Sequence, residues 1–284
     1  MATAELDALG DLPPVAASVA ILHDYENLWA LNAQPDTPDF GYWWHLRTYY
    51  RALRARGVTT DIVHPTADLD RYAAIVAPTL HLVDDALAAR LRSYVEKGGT
   101  LLVTIRSGVK DEYNGLSEGP APGPLAPLVG AWIEERETLP KGVETSVTYQ
   151  GDRYPVRTWG ERLAAEEATI MGRHTGGIVS GGAAITSREV GEGTVTYCGV
   201  WPSEDLAEVL VGRLCERARV DPIDPPLPWN VRLAHRGPYT WIFNWTDGAI
   251  ELDGPTDWTA VIGSGQLSAY DLAVFETDIQ MEGN

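Results

Sequence analysis

The order of apolar and polar positions divides the chain into buried strands, amphipathic helices and a later alternating stretch. Ser18-Val19-Ala20-Ile21-Leu22 is a short unbroken apolar run, the mark of a strand covered on both faces. A polar loop is expected after it, holding Pro35 and Pro38. From Tyr42 to Arg56 the spacing predicts a helix, with Leu46, Tyr49, Tyr50 and Leu53 on one stripe and Gly57 as its stop. Thr59 to Val63 is strand-like and ends at His64-Pro65. Ala73 to Ala77 is a second buried strand, ended by Pro78. Asp84 to Lys97 predicts an amphipathic helix with Leu87, Leu91 and Val95 inward, stopped by Gly98-Gly99, and Thr100 to Ile105 predicts another buried strand. Strands alternating with helices in this way imply an α/β fold built on a parallel, doubly wound sheet.

The texture changes after Arg106. Gly115 to Pro127 is a Gly/Pro-rich loop, and Trp132 to Trp159 alternates in short strand-like pieces. Ala168 to Arg173, Ala183 to Thr186 and Gly193 to Val200 continue the pattern, the last after the turn Gly191-Glu192-Gly193. Together they predict an antiparallel extension with a hairpin. Ser203 should cap a last helix, Glu204 to Arg217, with acids in its first turn and arginines in its last. Asp221-Pro222-Ile223-Asp224-Pro225-Pro226 is the strongest boundary, because three prolines in so short a span exclude helix and stiffen the chain. The organisation expected is a linker remnant over 1–16, an α/β domain over 17–220, and a small antiparallel all-β domain over 227–284.

Charge narrows the partners. The net charge is −18 and the pI near 4.6, a field that repels nucleic acid and anionic lipid. Lysine occurs only at Lys97, Lys110 and Lys141. An acid-rich, lysine-poor chain suits a salt-loaded cytoplasm, where counterions screen self-repulsion, and it equally suits an ordinary protein from a GC-rich genome. No apolar run approaches the roughly 20 residues of a membrane span, and Met1 to Pro14 lacks the features of a secretory signal. The expected location is cytoplasmic. Cys198 and Cys215 fall in a strand pattern and a helix pattern and are expected to be buried free thiols.

Chemistry is sought at the carboxyl ends of the parallel strands. His23-Asp24-Tyr25-Glu26-Asn27 follows the first strand. If the extended geometry continues, Asp24 and Glu26 share a side as a carboxylate pair, although a polar interface or loop-ordering role fits them better. Arg106-Ser107-Gly108-Val109-Lys110-Asp111-Glu112 follows a later strand. Ser107 stands where a nucleophile elbow would sit, but Ile105 two residues before it breaks the G-x-S-x-G pattern, so a serine hydrolase is the third-ranked reading. No cysteine occupies an elbow, which counts against a class I glutamine amidotransferase. The histidines show no metal-ligand spacing and no phosphate loop exists, so no metal and no cofactor are expected. Adjacent Trp43 and Trp44 cannot both lie at the centre of one helix stripe, so one is expected to face a partner. Trp241, Phe243 and Trp245 recur at period two, which suits the core of the small β domain first and a sugar-stacking platform second.

Several of these segments, in order, resemble the trimerisation domain of family 42 β-galactosidases: Val19 to Asn27, Tyr49-Tyr50-Arg51-Ala52-Leu53, Val76-Ala77-Pro78, and Val95 to Glu112. Pro122-Gly123-Pro124-Leu125 with Trp132 to Glu135, and Gly191 to Tyr197, extend the likeness over about residues 17–220. Residues 227–284 resemble the family's small C-terminal domain more weakly. The resemblance implies a flavodoxin-like, class I amidotransferase-like sheet that lacks the amidotransferase nucleophile. It implies a homotrimer that supports galactoside hydrolysis only with a catalytic (β/α)8 barrel, supplied in cis or in trans. That barrel and its two glutamates have no counterpart here, so no catalytic residue is assigned. Glu5-Leu6-Asp7-Ala8-Leu9-Gly10 resembles the segment that leaves the barrel. A split gene, a truncated reading frame and a cloned fragment all fit. Asp24, Tyr25, Glu26, Asn27, Trp43, Trp44, Arg106, Ser107, Asp111 and Glu112 are the residues expected to contact a neighbouring subunit or border its active site. The alternative is a free-standing module for a carbohydrate or small ligand, with Trp241 and Trp245 as its stacking residues.

Overall fold

The computed structural model describes residues 15–117, 119–221, 227–228, 230–251 and 258–276. The prolines of the expected boundary and residues 1–14 of the expected linker lie outside the described residues. Two compact units are present: residues 18–52 with 60–221, and the remainder.

In the first unit, β1 (Val19–Leu22), β3 (Ala74–Ala77) and β4 (Thr100–Thr104) are buried at every position. Side chains alternate faces along a strand, so complete burial requires cover on both sides. The unbroken apolar runs are the sequence image of that requirement. β2 (Thr60–Val63) is the partly exposed edge. The parallel order is β2-β1-β3-β4-β10, with β10 at Gly193–Cys198. Register places Ile21 opposite Ile62 and Val76, and Leu101 opposite Ile75 and Val195.

β10 then pairs antiparallel with β9 (Ala183–Val190) across the Gly191-Glu192 turn. The sheet continues through β8 (Thr169–His174), β6 (Thr145–Tyr149), β7 (Asp152–Ala165) and β11 (Val200–Pro202), while β5 (Ala131–Thr138) pairs with β7. The sheet is therefore parallel at its core with an antiparallel extension, as expected.

Four helices of eight or more residues are described. α1 is Tyr25–Ala33, α2 Tyr42–Ala55, α3 Asp85–Glu96 and α4 Glu204–Ala218. Asp84 caps α3 by accepting the Leu87 N–H at 2.7 Å, and Ser203 caps α4 by accepting the Leu206 N–H at 3.2 Å. Gly98, at φ +109°, ends the α3 turn in a conformation that side chains rarely adopt.

The segment after β1 corrects the sequence reading, because it is not a polar loop. Asp24 is the last extended residue, and its carboxylate accepts the Glu26 N–H at 2.9 Å as the N-cap of α1. The chain then turns helical, so Asp24 and Glu26 form no extended carboxylate pair. The stripe α1 buries is Asn27, Ala30 and Leu31, while Tyr25 and Trp29 point outward. A buried asparagine and two exposed aromatics hide the helical period from hydropathy.

The second unit holds the antiparallel sheet β12-β13-β17-β15 (Val231–Arg236, Tyr239–Asn244, Leu272–Glu276, Thr259–Ile262) and the pair β14–β16 (Ile250–Glu251, Gln266–Leu267). Its core includes Val231, Leu233, Ile242 and Phe275. On β13 the buried face is therefore Thr240, Ile242 and Asn244. Trp241 and Phe243 are half-buried on the opposite face, so the rings do not supply this sheet's core. Asn244 explains the burial of a polar residue: its Nδ2 donates to Gly248 O at 2.9 Å and Ser268 O at 2.7 Å, tying two turns.

Candidate functional site

In an open α/β sheet a ligand crevice forms where strand order reverses, outside the carboxyl ends of the strands. Here the reversal lies between β1 and β3. Side chains from α1 and from the end of β4 take backbone partners in the segment after β3, beside that place. Asn27, 2% exposed, reaches across from α1 and accepts the Leu82 N–H at 2.7 Å through Oδ1. Thr104 Oγ1 accepts the Thr79 N–H at 2.8 Å and lies 3.0 Å from His45 Nε2. Ser107 donates to Thr104 O at 2.7 Å and accepts the Leu80 N–H at 3.1 Å. With both partners on the backbone and no exposure, Ser107 has neither the histidine nor the access a nucleophile needs. The serine-hydrolase reading ends on that geometry.

Arg106 occupies the turn after β4 at φ +61°. Its guanidinium is inside the molecule, stacked 4.5 Å from the Phe40 ring and 5.1 Å from the Trp159 ring. It donates to Pro35 O at 2.8 Å and Gln34 O at 2.9 Å, and pairs with Asp36 at 3.0 Å. Arg106 thus holds the loop between α1 and α2, and it presents nothing to a neighbouring molecule. The Arg106 N–H donates at 3.0 Å to Glu161 Oε1, which also accepts Trp159 Nε1–H at 2.9 Å, while Glu161 Oε2 accepts the Tyr197 hydroxyl at 2.8 Å. Glu161 is 1% exposed, and burial raises its carboxyl pKa against the pull of these donors. Burial also lowers His45 to about 3 and His81 to about 4. They stay neutral through the physiological range and cannot trade protons there.

The polar groups of the crevice are therefore structural, and the outer surface is aromatic. Tyr25 (57% exposed) and Trp29 (64%) on α1, and Trp43 (46%) and Trp44 (66%) at the start of α2, are exposed. His23 joins the two helices, its ring centroid 4.7 Å from Tyr25 and 4.6 Å from Trp43. Both tryptophans at the start of α2 face outward, where the sequence reading expected one. Trp29 was not among the candidates, because its segment was read as a loop. Asp111 folds its own loop by accepting the Tyr113 and Gly115 N–H groups at 3.0 and 2.6 Å, and Glu112 is exposed beside it. In the second unit Trp245 is exposed and stacks on Phe243 at 6.3 Å, but Trp241 is only half open, so three exposed rings do not line up as a platform.

No group of three or more His, Cys, Asp or Glu among the described residues is placed to hold a metal ion, and no described helix is long and apolar enough to cross a membrane.

Comparison with known proteins agrees with this architecture. The beta-galactosidase BgaH of Haloferax lucentense is 47% identical over 282 residues, covering 99% of this chain and 42% of the relative. A solved polyextremophilic beta-galactosidase from the Antarctic haloarchaeon Halorubrum lacusprofundi superposes with a TM-score of 0.89 at 42% identity, covering 97% of this chain and 42% of that one. The beta-galactosidase of Bacillus circulans sp. alkalophilus gives a TM-score of 0.87 at 26% identity, covering 96% of this chain and 43% of that one. The chain therefore spans about two fifths of the length of these relatives, and among its described residues there is no eight-stranded parallel barrel. Residues 17–221 match the model of the beta-galactosidase trimerisation domain, and the chain belongs to that family.

Proposed function

We propose that the chain is a non-catalytic assembly region that supports galactoside hydrolysis only together with a catalytic barrel. The observation that carries this reading is the hydrogen bonding beside the β1/β3 reversal. Asn27 reaches from α1 to the Leu82 N–H after β3, and Thr104 and Ser107 reach from the end of β4 to the Thr79 and Leu80 N–H groups, so the polar side chains beside the reversal are taken up by the fold itself. What remains at that end of the sheet is an exposed aromatic surface, suited to protein contact. Retaining glycosidases need two carboxyl groups about 5–5.5 Å apart in one pocket. Two of the acids at this end have structural roles: Asp24 caps α1 and Asp111 folds its loop.

Two measurements on the purified chain test the proposal. Light scattering in multimolar salt should give the mass of a trimer, and incubation with an aryl galactoside should give no turnover. A monomer at every salt concentration would remove the assembly role. Turnover that survives repurification would remove the non-catalytic one.

A further inference from the structure

His23 is the first residue after β1, where its amide donates to Val63 O at 2.9 Å. Its ring centroid lies 4.7 Å from Tyr25, 5.6 Å from Tyr42 and 4.6 Å from Trp43, so it packs against the starts of both α1 and α2. Nδ1 is 2.9 Å from the Tyr42 hydroxyl, while Nε2 is buried without a hydrogen-bond partner. The Asp24 N–H donates to the Tyr42 oxygen, which leaves the Tyr42 proton for His23 Nδ1. Counting donors in this way makes the ring neutral, with its own proton on Nε2.

A second proton has no place in this arrangement. It would sit on Nδ1 and set two donors, the His23 N–H and the Tyr42 O–H, against each other across 2.9 Å, with the new charge in a partly buried ring. The groups that act on the ring come from four elements. They are Asp24 from the end of β1, Tyr25 from α1, Tyr42 from α2, and His64 from the end of β2, 3.6 Å from Asp24. Burial is the largest effect and disfavours the charged ring, Asp24 favours it and His64 disfavours it, so the His23 pKa lies below its ordinary value.

We propose that His23 is an acid-sensitive latch between α1 and α2. Neutral, it accepts the Tyr42 hydroxyl and packs Tyr25 of α1 against Trp43 of α2. Protonated, it loses that bond and the start of α1 loosens. Asn27, bonded to the Leu82 N–H, confines the movement to Asp24, Tyr25 and Glu26, and the Leu28 N–H loses its acceptor, Asp24 O. Because burial disfavours the proton in the closed arrangement, the proton binds more tightly once the latch is open, and falling pH favours opening.

The test titrates the full chain from about pH 8 to about pH 5. It follows the His23 imidazole resonances and the hydrogen exchange of the Leu28 amide, corrected for the intrinsic dependence of exchange on pH. Leu28 protection should fall at least about threefold in step with His23 protonation, with a slope no steeper than about tenfold per pH unit, the limit for one proton. His23→Gln should abolish this response and His64→Gln should keep it. Tyr42→Phe removes the competing donor and should raise the His23 midpoint. Circular dichroism checks that each variant is folded. Leu28 protection that ignores the His23 midpoint in the wild type would overturn the latch without any variant. So would a wild-type midpoint at or above that of an unfolded histidine, or an equal fall in His23→Gln. Loss of the response in His64→Gln would place the switch on His64 and overturn it too.

Discussion

Glu161 is the residue on which the interior of the first unit converges. Its two oxygens accept from the Arg106 amide, the Trp159 indole and the Tyr197 hydroxyl, joining the turn after β4 to β7 and β10. Glu161→Ala would strand three buried donors, a loss of about 3–5 kcal/mol that a lower urea midpoint would show. Glu161→Gln should lose less, because one oxygen can still accept the Arg106 and Trp159 donors. The two chains also differ in pH dependence. Burial raises the carboxyl pKa above its ordinary 4.5 in the folded state, so the fold favours the protonated form. That contribution is fully present below the unfolded value and is lost as pH rises through the folded one. Unfolding free energy of the wild type should therefore fall relative to Glu161→Gln as pH rises from the ordinary carboxylate range towards neutrality. A difference independent of pH would mean that folding does not perturb this carboxyl. Nothing in the sequence marks Glu161 among 40 acids. Its role depends on partners at positions 106, 159 and 197, and the register that brings them together is a property of the folded sheet.

Among elements, the parallel core was legible because its strands need cover on both faces and so wrote themselves as apolar runs. Helices α2, α3 and α4 were legible because one polar and one apolar stripe gives a period, with Asp84 and Ser203 as caps. α1 was not legible. Its inward asparagine serves the Leu82 amide and its outward aromatics serve a surface, so both faces contradict the usual pattern. The Arg106 turn misled in a related way. An arginine in a strand-end loop is ordinarily exposed, whereas this one lies between Phe40 and Trp159 and binds residues 34–36. Arg106→Met keeps much of the stacking volume and removes the donors. It should lower stability by about 2–4 kcal/mol and speed proteolytic cleavage between α1 and α2. Unchanged cleavage there would show that the loop is ordered without the clamp.

For the whole molecule, two effects would act against each other in the proposed assembly. Burying exposed apolar surface between copies is favourable, and bringing together copies that each carry −18 is not. The balance depends on ionic strength. Charges are felt over about 30 Å at 0.01 M salt and about 3 Å at 1 M, while excluded salts strengthen apolar contact. The proposed trimer should therefore be weak in dilute buffer and tighten as salt is added, the association constant rising steadily from low to molar concentrations. A contact held mainly by ion pairs would show the opposite slope, since screening weakens attraction as well as repulsion. Sedimentation of the pure chain across a salt series decides between the two. A rising constant would assign the acidic surface to solvation and apolar surface to the contact, and a falling one would move the contact to the charged surface.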